Sequence, residues 1–172
     1  VDLRRYVRDI PDFPRPGIVF KDLTPLWLEP TALDHAVDAL AQYGRSRRAE
    51  LVVAAEARGF ILGAALAREL GVGFVPARKP GKLPARTVSA EYALEYGVDT
   101  LELHSDAFAD RARVLVHDDL LATGGTSKAT VALVEQLGGE VVGCAYIVEL
   151  AFLRGREALA GHDVHALVSY SE

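Results

Sequence analysis

R-V-L-V-H-D-D-L-L-A-T-G-G-T, residues 113 to 126, is the stretch whose reading decides the fold. Val114-Leu115-Val116 is a short apolar run of the kind a buried strand uses. Asp118 and Asp119 follow, where that strand is expected to end. Ala122-Thr123-Gly124-Gly125-Thr126 is a small, hydroxyl- and glycine-rich turn, and an amphipathic helix pattern opens at about Ser127. Strand, acidic pair, turn and helix N-terminus in succession suit a phosphorylated sugar.

The same alternation continues on both sides. Upstream, Thr31 can cap a helix whose apolar stripe is Leu33, Ala36, Val37, Leu40 and Ala41, with Gly44 as its stop. Leu51 to Ala55 reads as a strand covered on both faces. Glu56-Ala57-Arg58-Gly59 breaks it, Phe60 to Leu70 is helical, Gly71 ends that helix, and Gly73 to Ala77 is another strand. Downstream, the helix carrying Thr130, Leu133, Val134 and Leu137 stops at Gly138-Gly139. Val141 to Val148 and Val164 to Val168 are the last two strands. This pattern predicts an α/β fold with a mainly parallel twisted sheet flanked by helices, as one domain over residues 1–172. Such sheets bind ligands beyond the carboxyl ends of their strands, which selects two junctions, Glu56–Gly59 and Asp118–Thr126.

Two segments stand outside the alternation. Residues 1–9 read as a short helix, and residues 10–30 hold five of the eight prolines, with Phe13, Phe20 and Trp27. Proline lacks a backbone donor and restricts its neighbour, so residues 1–30 form an N-terminal arm, irregular after residue 9. Residues 78–104 open with Arg78-Lys79-Pro80-Gly81-Lys82 and continue as two alternating stretches, 87–96 and 98–104, joined around Gly97. They read as a basic segment and a flexible β-hairpin flap. Residues 105–111 are a helix or a loop.

The formal charge of −5 argues against general nucleic-acid binding, which rests on neutralising phosphates. No run approaches the roughly 18 to 20 apolar residues of a membrane span. The N-terminus, V-D-L-R-R-Y-V-R-D, lacks the apolar centre of a signal peptide, so a reducing, cytoplasmic setting is expected. A single cysteine, Cys144, excludes an intrachain disulfide, and its apolar neighbours make it a buried thiol.

At the second junction, glycines let backbone N–H groups approach a phosphate, and Thr123 and Thr126 add hydroxyl donors. Neither a G-x-x-x-x-G-K-[ST] loop nor a G-x-G-x-x-G fingerprint is present. Two adjacent buried carboxylates repel unless compensated, and vicinal ribose hydroxyls or a magnesium-bound ligand would compensate them. At the first junction Arg58 can pair bidentately with phosphate oxygens, and Gly59 allows close backbone approach. The plainer readings are a glycine-rich turn, a solvated or capping acidic pair, and a salt bridge from Arg58 to Glu56 or to another surface carboxylate. Two anion-suited junctions around an acidic pair favour a sugar phosphorylated at two positions.

V-L-V-H-D-D-L-L-A-T-G-G-T resembles the phosphoribosyl pyrophosphate (PRPP) motif of type I phosphoribosyltransferases. D-F-P-R-P-G-I-V-F-K-D at 12–22, E-A-R-G-F at 56–60, R-K-P-G-K-L-P at 78–84 and Y-A-L-E-Y-G at 92–97 resemble its adenine-using branch. V-E-L at 148–150 and G-R-E-A-L at 155–159 also fit. The resemblance implies the type I phosphoribosyltransferase fold and purine salvage, with adenine and PRPP giving AMP and pyrophosphate in the presence of Mg²⁺ held mainly by PRPP. It places the 5-phosphate on Ala122, Thr123, Gly124, Gly125 and Thr126, and the ribose on Asp118 and Asp119. Pyrophosphate falls to Arg58, Arg78, Lys79 and Lys82, with a cis non-proline peptide at Glu56-Ala57. Adenine falls to Val19, Phe20 and Lys21, the first and last through their backbone. Glu95 and Tyr96 join the acidic pair as catalytic residues, Glu95 for proton handling at the purine. A homodimer is implied as well. Two positions depart from the pattern: His117 replaces an aliphatic residue, and Lys21 a frequent arginine. The competing expectations are another purine base (hypoxanthine, guanine or xanthine), a non-catalytic PRPP-binding regulator, or a plain α/β structural protein.

Overall fold

Residues 1–94 and 97–172 are described by the computed structural model. A 3-10 turn at Leu3–Tyr6 leads into β1 (Arg8–Pro11), β2 (Val19–Asp22), α1 (Thr24–Leu28) and α2 (Pro30–Ser46). Then come β3 (Leu51–Ala55), α3 (Arg58–Leu70), β4 (Gly73–Ala77), β5 (Thr87–Leu94) and β6 (Gly97–His104). β7 (Arg113–Leu121), α4 (Gly125–Gln136), β8 (Glu140–Leu150), α5 (Gly155–Ala158) and β9 (Val164–Tyr170) complete the order. The central sheet runs β4-β3-β7-β8-β9, and every pairing in it is parallel. β1 with β2, and β5 with β6, form separate antiparallel hairpins.

Alternation along β7 shows why the sheet needs two covering layers. Leu115 packs into a core with Leu40, Leu62, Leu66 and Ile147, on the side of α2 and α3. Its neighbours Val114 and Val116 pack into the other core with Leu101, Leu103, Leu133 and Tyr146, beneath α4 and the hairpin. Each fully buried leucine contributes roughly 1.5–3 kcal/mol by leaving water. Cys144 lies in this second core, and burial pushes its thiol up to about 12.

Several boundaries differ from the sequence expectation. β7 does not end at Asp118; it runs to Leu121, so both carboxylates lie within the strand. Pairing with β8 continues through Asp118 opposite Tyr146 to Leu121 opposite Glu149, which keeps the backbone extended. α4 begins at Gly125, two residues earlier than expected. Gly44 does not stop α2. It is buried inside the helix, where an added Cβ would lie 3.0 Å from Leu70 Cδ1 and 3.2 Å from Leu115 Cδ2. The helix ends at Ser46, and Arg48 makes the left-handed turn at φ 54°. Its start is also two residues early: Glu29, not Thr31, is the cap, Pro30 occupies the first turn, and the Glu29 side chain accepts from the Thr31 N–H.

The N-terminal arm is more regular than its prolines indicated. Residues 1–9 are not a helix beyond the single 3-10 turn, and residues 10–30 contain paired strand and helix. Pro11 and Pro25 sit at a strand end and in a helix first turn, where the missing donor costs little. Residues 105–111 carry no helix.

Candidate active site

The carboxyl ends of β3, β4, β7 and β8 bring the expected segments to one edge of the sheet. Glu56 and Arg58 follow β3, Arg78 follows β4, and Ala122 to Gly125 follow β7. Arg58, Asp118, Ala122, Thr123, Gly125 and Thr126 all line one cavity of about 160 Å³.

Gly124 is what shapes the floor of that cavity. It takes φ 86° at the start of α4, and a Cβ there would lie 2.6 Å from the Gly155 carbonyl oxygen and 2.9 Å from Ala158. No side chain caps α4 among the described residues, so its first-turn N–H groups are left to an anion. The turn is anchored from beneath by the buried Tyr146 hydroxyl, which donates to Ser127 Oγ at 2.7 Å. Burial raises the Tyr146 phenol, keeping it a donor. Gly155 itself opens α5, which follows Glu149; Arg156 grips that buried carboxylate at 2.7 and 2.9 Å.

Asp119 is buried and Asp118 half-buried. Loss of water pushes both carboxyls above the ordinary range, Asp118 most strongly because the charge of Asp119 adds to it. The Asp119 N–H donates to Asp118 Oδ1 at 2.9 Å. Arg58 works against the shift: its Nε lies 3.4 Å from Asp119 Oδ2. That oxygen is otherwise a buried acceptor with no hydrogen bond. Gly59 is required beside the pair, because a Cβ there would meet Asp118 Oδ1 at 2.9 Å. The pair therefore resists holding two charges unless a cation or positive sugar arrives.

The Arg58–Glu56 bridge considered from sequence is not what forms. Arg58 reaches Asp119 and places its guanidinium 5.1 Å from the centroid of Phe20. Glu56 instead accepts from Arg78 Nε at 3.3 Å and from the Lys79 N–H at 2.7 Å. The Glu56-Ala57 peptide is cis, as the resemblance implied. Lys79 Nζ pairs with Asp99 at 3.2 Å, and Lys82 is exposed.

Phe20 projects from β2 and meets Phe13 edge-on at 5.2 Å. Lys21 turns its side chain away from the acidic pair, into Asp9 at 2.7 Å and over the Tyr170 ring at 4.1 Å. Its cation thus braces the arm. A cavity of about 390 Å³ beside the arm is lined by Ile18, Val19, Lys21, Leu150 and Phe152. Glu95 and Tyr96 lie outside the described residues.

His117 is fully enclosed. Its Nδ1 bonds the Ala145 carbonyl oxygen at 2.9 Å, and its Nε2 is buried without a partner. Burial lowers its pKa to about 4, so the ring is neutral and Nδ1–H is the donor. Sequence reasoning did not single out Asp99, which joins Lys79 to Tyr92 on the hairpin. The signal available was cross-strand: Tyr92 and Asp99 are directly paired.

A fold of this order with an acidic pair and an uncapped glycine turn at one sheet edge defines a class, and the comparisons agree. The phosphoribosyl transferase domain model matches residues 29–165. The chain belongs to the phosphoribosyl transferase family. A relative from Thermotoga maritima, an adenine phosphoribosyltransferase, is 55% identical over 170 residues, covering 99% of this chain and 98% of the relative. The crystal structure of adenine phosphoribosyltransferase from Thermoanaerobacter pseudethanolicus superposes with a TM-score of 0.95 at 51% identity, covering 98% of each chain. The Saccharomyces cerevisiae enzyme, complexed with D-2,5-dideoxy-2,5-imino-altritol 1,6-bisphosphate and adenine, gives 0.93 at 36% identity, covering 96% of each. Within the family, this chain's place is among the adenine phosphoribosyltransferases.

Proposed function

We propose that this site transfers the phosphoribosyl group of PRPP to adenine, giving AMP and pyrophosphate in purine salvage. The observation that carries it is the junction of the uncapped α4 N-terminus, Asp118 and Arg58 around one cavity, with Arg58 paired to the buried Asp119 behind it. The Saccharomyces cerevisiae relative, with a sugar bisphosphate analogue and adenine bound together, supports the same two-ligand use.

The roles follow from position. The N–H groups and hydroxyls of Ala122 to Thr126 take the 5-phosphate, with Gly124 setting the turn. Asp118 and Asp119 accept the ribose hydroxyls. In the reaction the bond from the anomeric carbon to the base nitrogen forms as its bond to pyrophosphate oxygen breaks. The sugar gains oxocarbenium character, and the acidic pair, only partly compensated by Arg58, stabilises it. Arg58, Arg78, Lys79 and Lys82 receive the departing pyrophosphate. Phe20 stacks on adenine while the backbone of Val19 and Lys21 reads its edge. Glu95 takes the proton the purine ring releases, Tyr96 serves with it as a catalytic residue, and the flap excludes water.

Among the described residues no group of three carboxylate, histidine or cysteine side chains is placed to hold a metal. The residues present fit Mg²⁺ only in a lesser share: Asp118, which lines the cavity, offers hard oxygen donors, and PRPP would supply the rest. When bound, the ion neutralises charge on the leaving pyrophosphate. No helix among the described residues is long and apolar enough to cross a membrane. A cytoplasmic homodimer, whose partner copy can complete the pyrophosphate contacts, belongs to the same proposal; a monomer by sedimentation at working concentration would remove that part.

The test is release of pyrophosphate from PRPP with Mg²⁺ and adenine, and its absence without a base. PRPP bound without turnover on any purine would favour a regulator instead.

A further inference from the structure

Asp99 belongs to none of the groups assigned above, yet three parts of the site meet on it. It sits on β6, opposite Tyr92 of β5. Its Oδ2 accepts from the Tyr92 hydroxyl at 3.1 Å and pairs with Lys79 Nζ at 3.2 Å, while its Oδ1 accepts from the Thr100 N–H at 2.8 Å. The Thr100 N–H and then Lys79 hold this carboxyl below the ordinary range, and Asp99 in turn raises the Lys79 ammonium. Both charges are therefore present at neutral pH.

Each partner of Asp99 reaches a different ligand segment. The Lys79 N–H is fixed on Glu56 at 2.7 Å, so Lys79 is tied by its backbone to the Glu56–Arg58 junction and by its side chain to the hairpin. Tyr92 lies over the phosphate turn. It lines a cavity with Thr123 and Gly125, and a Cβ on Gly125 would come within 3.8 Å of its ring. One carboxylate thus joins the basic segment, the hairpin and the 5-phosphate turn.

We propose that Asp99 is a positioning residue that sets Lys79 toward pyrophosphate and seats Tyr92 on the 5-phosphate turn, so that the two ends of PRPP are gripped together. This rests on the PRPP reading of the site. Asp99 touches neither adenine nor the reacting carbon in this role. Its loss changes the grip on PRPP and leaves the base platform of Val19, Phe20 and Lys21 intact.

The experiment is a double-mutant cycle between Asp99→Ala and Lys79→Ala, with Asp99→Asn as the milder variant. Steady-state KM for PRPP, KM for adenine, kcat and Tm are read for each. With two half-exposed polar contacts released, Asp99→Ala raises KM for PRPP about fivefold to tenfold and leaves KM for adenine within about twofold. In the Lys79→Ala background the Asp99 effect shrinks to about twofold, the part carried by Tyr92. Asp99→Asn, which keeps an acceptor for Tyr92 but loses the negative charge that pairs with Lys79, falls between. An equal effect in both backgrounds, an equal rise in both KM values, or no change in KM for PRPP would overturn the proposal. A wild-type chain that turns over no purine with PRPP would overturn the reading beneath it, a different result from active wild type with silent Asp99 variants.

Discussion

Replacing His117 by valine should change how stability depends on pH more than how large it is. In the folded chain the ring is fully buried, bonded by Nδ1 to Ala145 and unpartnered at Nε2, and its pKa is lowered to about 4. Unfolded, the ring titrates at about 6.5. Between those values the unfolded chain binds a proton that the folded chain refuses, so wild-type stability rises with pH from about 4 to 6.5 and is flat above. The span of about 2.5 pH units at 1.36 kcal/mol each gives about 3 kcal/mol. The raised carboxyls of Asp118 and Asp119 titrate in wild type and variant alike, as does His165, so their contributions cancel in the difference. Urea unfolding of wild type and His117→Val across pH 4 to 8 measures it. The stability difference, wild type minus variant, should climb by about 3 kcal/mol from pH 4 to 7 and then level. A difference constant over that range would refute the neutral, desolvated histidine. The variant's offset at pH 7 combines the lost Ala145 bond, the removed orphan nitrogen and the packing beside Gly63.

Two other changes probe the site. Gly124→Ala forces a left-handed residue and places its methyl 2.6 Å from the Gly155 oxygen, so a loss of about 2 kcal/mol, or about 4–8 °C in Tm, should accompany a large rise in KM for PRPP. Unchanged Tm and KM would remove the phosphate turn's dependence on that glycine. Glu95→Gln should lower kcat about a hundredfold with little change in PRPP affinity, as a proton-handling group does; equal losses in both would contradict a chemical role.

Much of the frame was legible because a parallel sheet needs continuous apolar strands, and Leu51 to Ala55 and Val141 to Val148 display them directly. Gly71 was legible as a stop because its left-handed φ of 71° is a local requirement. Gly44 was not, since a glycine demanded by a close neighbour and one demanded by a turn look alike in sequence. Only the approach of Leu70 and Leu115 separates them. The acidic pair was found but misplaced at a strand end, because aspartate is unfavourable in a strand unless pairing with β8 holds it there. The arm's hairpin was hidden by its prolines, which sit at positions that need no donor. For the site, residue types were legible at both junctions, while the partners were not. Arg58 chose Asp119 and Phe20 over Glu56, and Glu56 took Arg78 and Lys79, through contacts between segments far apart in the chain.

The measurement closest to the central claim is a base competition. The chain is given PRPP, Mg²⁺ and equal amounts of adenine, hypoxanthine and guanine, and the nucleotide products are separated. The account predicts AMP with little IMP or GMP. IMP or GMP as the main product would contradict the assignment of adenine to Val19, Phe20 and Lys21, and no nucleotide at all would contradict the transferase itself.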